Sequence, residues 1–364
     1  MTTRVVVMLA LAAAVSSAAL RSAPAPRSLG DGGQQPASGT VRVTRFATNP
    51  LVTVKSSATL GGNVNGPTVI RVPDWVERPL GRYYMYFANH RDVFIRLAYA
   101  DAPAGPWKIH EPGVWHVKDS ALYRPQPDSA RFGGFNTHFA SPEIFIDTAN
   151  RRIVLWAHGW YTSGEHWPTE AKAAQQWANE KGYGQFTQGA VSSDGLRFTA
   201  QPAITRESYI RVFQRGGELV GMSRLGVLLR APNPLASFTV GPNAFRDTAY
   251  GSNRVRHVAL VPRGNLLHVL FTATGDAPES LMHTTIDMTR DWKDWRVGTL
   301  SVVMRPETDY ECGQLPIAPS AVGDIFEPAR QIRDPHVLED GGRTYLFYVL
   351  CGEQGVAGAE IALP

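Results

Sequence analysis

A strand that opens at a proline, a polar turn and an aromatic-rich return strand recur three times along this chain. Arg333-Asp334-Pro335-His336-Val337-Leu338-Glu339 turns at Asp340-Gly341-Gly342 into Arg343-Thr344-Tyr345-Leu346-Phe347-Tyr348. Gly66-Pro67-Thr68-Val69-Ile70-Arg71 leads to Arg82-Tyr83-Tyr84-Met85-Tyr86-Phe87, and Ser141-Pro142-Glu143-Ile144-Phe145-Ile146-Asp147 leads to Arg152-Ile153-Val154-Leu155-Trp156. Proline costs a strand least where no ladder N–H is needed, so each unit reads as a hairpin whose first strand begins at its proline. Copies of one hairpin along one chain call for a repeat architecture, in which neighbouring units cover each other's apolar faces.

Two further units lack the proline. Ser208-Tyr209-Ile210-Arg211-Val212-Phe213 turns back at Gly216-Gly217, and Arg254-Val255-Arg256-His257-Val258 turns back at Gly264-Asn265. The five starts fall near residues 67, 142, 211, 257 and 335. Spacings of about 45 to 80 residues suit four-stranded propeller blades with loop insertions. With 34 glycines, 26 prolines and few helical patterns, the composition agrees with many short strands joined by turns. The expected fold is all-β, a five-bladed β-propeller of four-stranded antiparallel blades. Ile95 to Ala100 reads as an outer strand of the first blade, Gly189 to Phe198 as one of the third, and Gly355 to Ile361 as one of the last.

Residues 1–20 carry one early arginine, an apolar run and a small-residue Ser17-Ala18-Ala19 site, the pattern of a secretory signal peptide. The run is short of the roughly 20 residues a bilayer span requires, so no membrane partner is expected after cleavage. Residues 21–40 read as a flexible leader, and 41–364 as a single propeller domain. The location expected is therefore secreted or periplasmic. One helix is expected at 169–181, inserted between repeats. Cys312 and Cys351 form either a disulfide or two buried thiols. The net charge is +4, and Arg4, Arg21 and Arg27 belong to the first 40 residues. No basic run or recognition motif points to nucleic acid.

In a propeller the starts of the inner strands converge on one rigid mouth, a natural place for a ligand. Asn63, Asn65, His138, Ser141, Glu143, Glu207, Tyr209, Arg211, Arg254, Arg256, His257, Arg333, Asp334 and His336 would meet there. Glu143 facing water, Asp334 capping a turn, or the histidines serving only as packing are the plainer readings of the same residues. Trp160, Tyr161, His166 and Trp167 are candidates for a wall against which a sugar ring stacks. No His-Glu-x-x-His spacing suggests a metal, and no cofactor is expected, though a metal ion assembled across blades stays open.

The proline-initiated inner strands, aromatic second strands and five-unit spacing resemble the five-bladed propeller glycoside hydrolases of families 43, 32, 62 and 117. The resemblance implies a carbohydrate substrate, a Glu on the third blade as general acid, an Asp before the first-blade proline as base or nucleophile, and a second, tuning Asp. Carried onto this chain it makes Glu207 the acid, with Asp334, Glu143 and His336 as the remaining catalytic candidates. At the first-blade position the chain has Asn65-Gly66, and at the second, Ser141. Asn65, His138, Tyr209, Arg211, Arg256, His257 and Arg333 are expected to bind substrate. Arg211, Arg254, Arg256 and Arg333 around one channel would answer an anionic group, such as a uronic acid or a sulfated sugar. An exported glycoside hydrolase is the first reading. A polysaccharide lyase using His and Tyr on a uronate, and a non-catalytic glycan-binding propeller, are its rivals.

Overall fold

The computed structural model describes residues 39–122, 138–161, 184–251 and 253–364, which form one compact unit. The expected signal peptide, most of the leader, the 169–181 helix, His166 and Trp167, and the side chains of Trp160 and Tyr161 lie outside the described residues.

Five antiparallel sheets follow one another along the chain as the blades of a β-propeller. Strands β1 (Arg42–Arg45) and β2 (Val52–Thr53) precede the first blade. That blade is β3 (Asn65–Arg71), β4 (Tyr83–Ala88), β5 (Phe94–Ala100) and β6 (Lys108–His116). The second is β7 (Phe139–Asp147), β8 (Arg152–Tyr161), β9 (Gly184–Ser192) and β10 (Thr199–Thr205). The third is β11 (Arg211–Arg215), β12 (Glu218–Met222), β13 (Val227–Ala231) and β14 (Thr239–Asn243). The fourth is β15 (Val255–Arg263), β16 (Leu266–Ala273), β17 (Leu281–Asp287) and β18 (Ser301–Met304). The fifth is β19 (Arg333–Asp340), β20 (Arg343–Leu350) and β21 (Gly355–Ala362).

The last blade takes its outermost strand from the start of the domain. Arg42 to Arg45 pair with Ala362 to Ala359, so β1 joins the two ends of the ring. Arg45 donates to both oxygens of Glu311, and the Tyr348 hydroxyl donates to the same carboxylate at 2.7 Å. Nearby, Cys312 and Cys351 are joined as a disulfide with Cα atoms 5.0 Å apart, which resolves the choice left open by the sequence. Gly189 to Phe198 lie on β9 and the turn after it, in the second blade rather than the third. The 162–183 insertion falls between β8 and β9, inside a blade rather than between blades. Burial of aromatic faces between neighbouring blades holds the ring. Tyr84, Tyr86, Phe139 and Phe198 pack together from the first two, and Phe245 and Phe271 from the third and fourth.

The inner strands share a local irregularity. Register shifts fall between Asn65 and Thr68, Ala140 and Glu143, Val255 and His257, and Arg333 and His336. In three of these the shift spans an X-Pro pair, where the missing N–H breaks the ladder and a bulge re-aims the preceding side chain. Gly66, Ser141 and Asp334 take φ of 58°, 48° and 47° there, and Tyr209 takes 54° just before β11. Left-handed backbone is costly for a bulky aromatic and for a residue before proline, so surrounding contacts must hold these conformations.

Candidate active site at the mouth of the ring

Deep on the axis, Arg211 ties four blades together. Its guanidinium donates to the carbonyls of Pro67, Pro142 and Val258, to Thr68 Oγ1 at 2.7 Å and to Glu143 Oε2 at 2.8 Å. Glu143 also accepts from the Val212 N–H at 3.0 Å. Burial raises the Glu143 carboxyl above its ordinary range despite the Arg211 charge beside it. His336 Nδ1 accepts from the Val69 N–H at 3.2 Å, stitching the fifth blade to the first, and burial holds the imidazole well below its ordinary pKa. Glu143 and His336, expected as catalytic candidates, are thus engaged in holding blades together.

Above this clamp, Gly66, Ser141, Tyr209, Arg211, His257, Val258 and Asp334 line a pocket about the size of one water molecule. Asp334 accepts from the Gly66 N–H at 2.9 Å through Oδ2, and its Oδ1 contacts His257 Nδ1. Burial alone would raise Asp334, but His257 and the Gly66 N–H hold it well below the carboxylate range. His257 is lowered by burial more than Asp334 raises it. At neutral pH the pair is therefore a carboxylate and a neutral imidazole, with Nδ1 facing the carboxylate. The Tyr209 ring lies 4.4 Å from that of His257 and 4.1 Å from that of His158, and burial raises its phenol.

A second carboxylate and imidazole reach the same tyrosine. His90 Nε2 is 3.4 Å from the Tyr209 hydroxyl, and its Nδ1 is 2.8 Å from Glu353. Burial pulls His90 down, but Glu353 outweighs it and leaves the imidazole above its ordinary pKa. Glu353 would itself be raised by burial, and His90 and Arg333 bring it to about 2. His138 Nε2 is 3.1 Å from His158 Nε2, and burial lowers His138 to about 3. Asn65 Nδ2 reaches Asn63 Oδ1 at 2.6 Å and His90 Nδ1 at 2.9 Å.

The four arginines do not leave open positive charge. Arg211 pairs with Glu143, Arg254 with Asp276, Arg256 with Glu279 and Arg333 with Glu353, each within 2.9 Å. Arg256 and Arg333 also donate to the Gly323 carbonyl. The expectation of an anionic substrate, which rested on unanswered guanidinium groups, loses that premise. Its partners were not visible in the strand starts. His90, Arg224, Glu279 and Glu353 sit in the connections from second to third strand of the first, third, fourth and fifth blades, and His158 near the end of the second strand of the second. Those connections end at the same mouth as the inner strands begin, so polar residues just past each aromatic second strand were the available signal.

Glu207 lies two residues before Tyr209, half-buried, and accepts from the Ser223 hydroxyl at 2.6 Å. Burial raises its carboxyl more than Ser223 and Arg224 lower it. Among the described residues, no group of three or more His, Cys, Asp or Glu side chains is arranged to hold a metal ion.

Solved structures with the same architecture include the GH43_1 enzyme of Xanthomonas citri complexed with xylose, with a TM-score of 0.51 and 10% identity over 89% of this chain and 91% of that one. They also include the exo-β-1,3-galactanase of Phanerochaete chrysosporium with β-1,3-galactotriose, at 0.50 and 10% over 89% of this chain and 64% of that one. The class is thus the five-bladed β-propeller seen in family 43 glycoside hydrolases, a likeness of fold. No protein-family model matches the sequence. The uncharacterized protein R118 of Acanthamoeba polyphaga mimivirus is 30% identical over 345 residues, 89% of this chain and 91% of that protein, and the chain belongs to its family.

Proposed function

We propose that this protein is an exported glycoside hydrolase that cleaves a neutral oligosaccharide or polysaccharide at the mouth of the propeller, with Glu207 as general acid. The observation that carries this reading is the opposite displacement of two carboxyls at inner-strand starts of the third and fifth blades: Glu207 is raised by burial, while Asp334, beside His257 and the Gly66 N–H, stays ionised. Environments that push two carboxyls apart keep one available as a proton donor and the other ionised to orient or stabilise at neutral pH. The fold supports the reading, since sugars are bound by the neighbours named above. No cofactor enters this chemistry. The Cys312–Cys351 disulfide fits an oxidising compartment, and among the described residues no helix is long and apolar enough to cross a membrane.

A lyase would need a free cation at the uronate carboxylate, and the paired arginines give that alternative little support. The test is release of reducing ends from xylo-, arabino- and galacto-oligosaccharides. Glu207→Gln is expected to lower kcat about 100-fold or more on natural leaving groups, and less on 4-nitrophenyl glycosides, whose leaving group needs no proton. An unsaturated product absorbing in the near ultraviolet would instead establish the lyase, and binding without turnover the sugar-binding propeller.

A further inference from the structure

The glycosidase reading supplies an acid but leaves the water without an evident carboxylate base. Asp334 has one oxygen on the Gly66 N–H and the other on His257. Glu143 is bound to Arg211 and the Val212 N–H. Nor is there room for a carboxylate side chain at the position before the first-blade proline. A Cβ at Gly66 would stand 2.9 Å from Ser141 Cα, at a φ of +58° that side chains rarely adopt. Two residues that line the pocket carry buried polar atoms with neither a hydrogen bond nor an ion-pair contact, His257 at Nε2 and Ser141 at Oγ, whereas His257 Nδ1 and Asp334 Oδ1 face each other. Buried polar atoms in a native site call for an explanation, and both belong to residues around the same water-sized space.

We propose that His257 is the general base of this site. Asp334 holds the Nδ1–H and so fixes the tautomer that leaves the Nε2 lone pair facing the pocket, the orienting role a carboxylate plays behind a catalytic imidazole. A water held between Nε2 and the Ser141 hydroxyl attacks the anomeric carbon and gives its proton to Nε2. The bond from that carbon to the glycosidic oxygen breaks as the Glu207 carboxyl protonates the leaving oxygen, and solvent returns both groups to their starting states. One displacement with a base-activated water inverts the anomeric centre. The left-handed backbone at Ser141, Tyr209 and Asp334 belongs to the same device, since it aims all three side chains from bulged or turned strand starts. His257 is faced by Asp334 and the Tyr209 ring, with the charges of Arg256 and Glu279 acting on it and His158 beyond the tyrosine.

This proposal rests on the glycosidase reading, and two measurements separate their failures. Nitrogen-15 NMR of the wild-type protein at neutral pH reads the tautomer directly. The expected result is Nδ1–H with a bare Nε2, changing to Nε2–H in Asp334→Asn. A wild-type His257 carrying its proton on Nε2 overturns the proposal whether or not a substrate is known. On 4-nitrophenyl glycosides that the wild type hydrolyses, His257→Gln is expected to lower kcat at least about 100-fold with KM within about twofold, and to abolish the acid limb of the pH profile. Retained kcat, or a retained anomeric configuration in the wild-type product, overturns it. A wild type inert on every glycoside refutes the glycosidase reading, and the tautomer still decides whether His257 is built as a base. The tautomer measurement needs no His257 variant to fold.

Discussion

Residues of one chemical type end up in opposite roles here because their partners differ. Glu143, Glu207, Asp334 and Glu353 are all shielded carboxyls. Glu143 answers an axial arginine, Glu353 holds His90 and Arg333, Asp334 faces His257, and only Glu207 has a single neutral hydrogen-bond donor on its side chain. The Arg211 clamp gives a direct test of the first of these. Arg211→Met removes the partner of a buried carboxylate together with the donors to three carbonyls, and stability is expected to fall by about 3 to 5 kcal/mol. The denaturant midpoint measures this, and an unchanged midpoint would remove Arg211 from the support of the ring. The sequence marked Arg211 as important through its place at a strand start. Its partner was not legible there, because the carboxylate that answers it, Glu143, comes from another blade 68 positions away.

At the scale of elements, each inner strand is a regular ladder that begins irregularly, and the irregular start is what carries chemistry. Gly66 tests how tightly that start is packed. Gly66→Ala adds a Cβ against backbone at Ser141 as well as left-handed strain, whereas Gly217→Ala in the β11–β12 turn has φ of 85° and nothing within 4 Å. Gly66→Ala is expected to cost about 1 to 3 kcal/mol, and more than Gly217→Ala; thermal melting of the two variants makes the comparison. The disulfide that ties the β18–β19 connection to the β20–β21 turn is the second element-scale feature. Cys312 and Cys351 are 39 positions apart, so their bond is expected to contribute about 4 kcal/mol in the chain-entropy account. Melting with and without reductant measures it. Proline placement, glycine turns and aromatic runs made the hairpins and their count legible in sequence. The assignment of Gly189 to Phe198 went to the wrong blade because the long insertion between β8 and β9 hides which hairpin the outer strands continue.

For the whole molecule, the inner strands and their mouth concentrate imidazoles that, His90 apart, are held neutral beside ionised carboxylates, and these dominate the response to acid. His138 is held at about 3, His158, His257 and His336 are also lowered, and Glu353 is held at about 2. Below pH 6.5 the unfolded chain takes up protons on these histidines that the folded chain refuses. Stability is therefore fully present above pH 6.5 and falls as pH drops, by about 1.4 kcal/mol per pH unit for a histidine such as His138. Glu353 adds its own loss between the ordinary carboxylate range and about pH 2. Melting temperature measured from pH 8 to 4 is expected to decline from near pH 6.5 downward; a flat profile would mean that these imidazoles are charged or exposed in the folded protein. By itself the sequence determined the five hairpins, the all-β propeller and most inner-strand residues at its mouth, because proline, glycine and alternating aromatic patterns act within a few residues. Which charge answers which, and which imidazole is left with a free nitrogen, was decided only by the tertiary structure. Asp334 meets Gly66 and His257, and His90 meets Glu353, across blades whose sequence separation carries no local signal, and a carboxyl's or imidazole's chemistry is set by those neighbours and its burial.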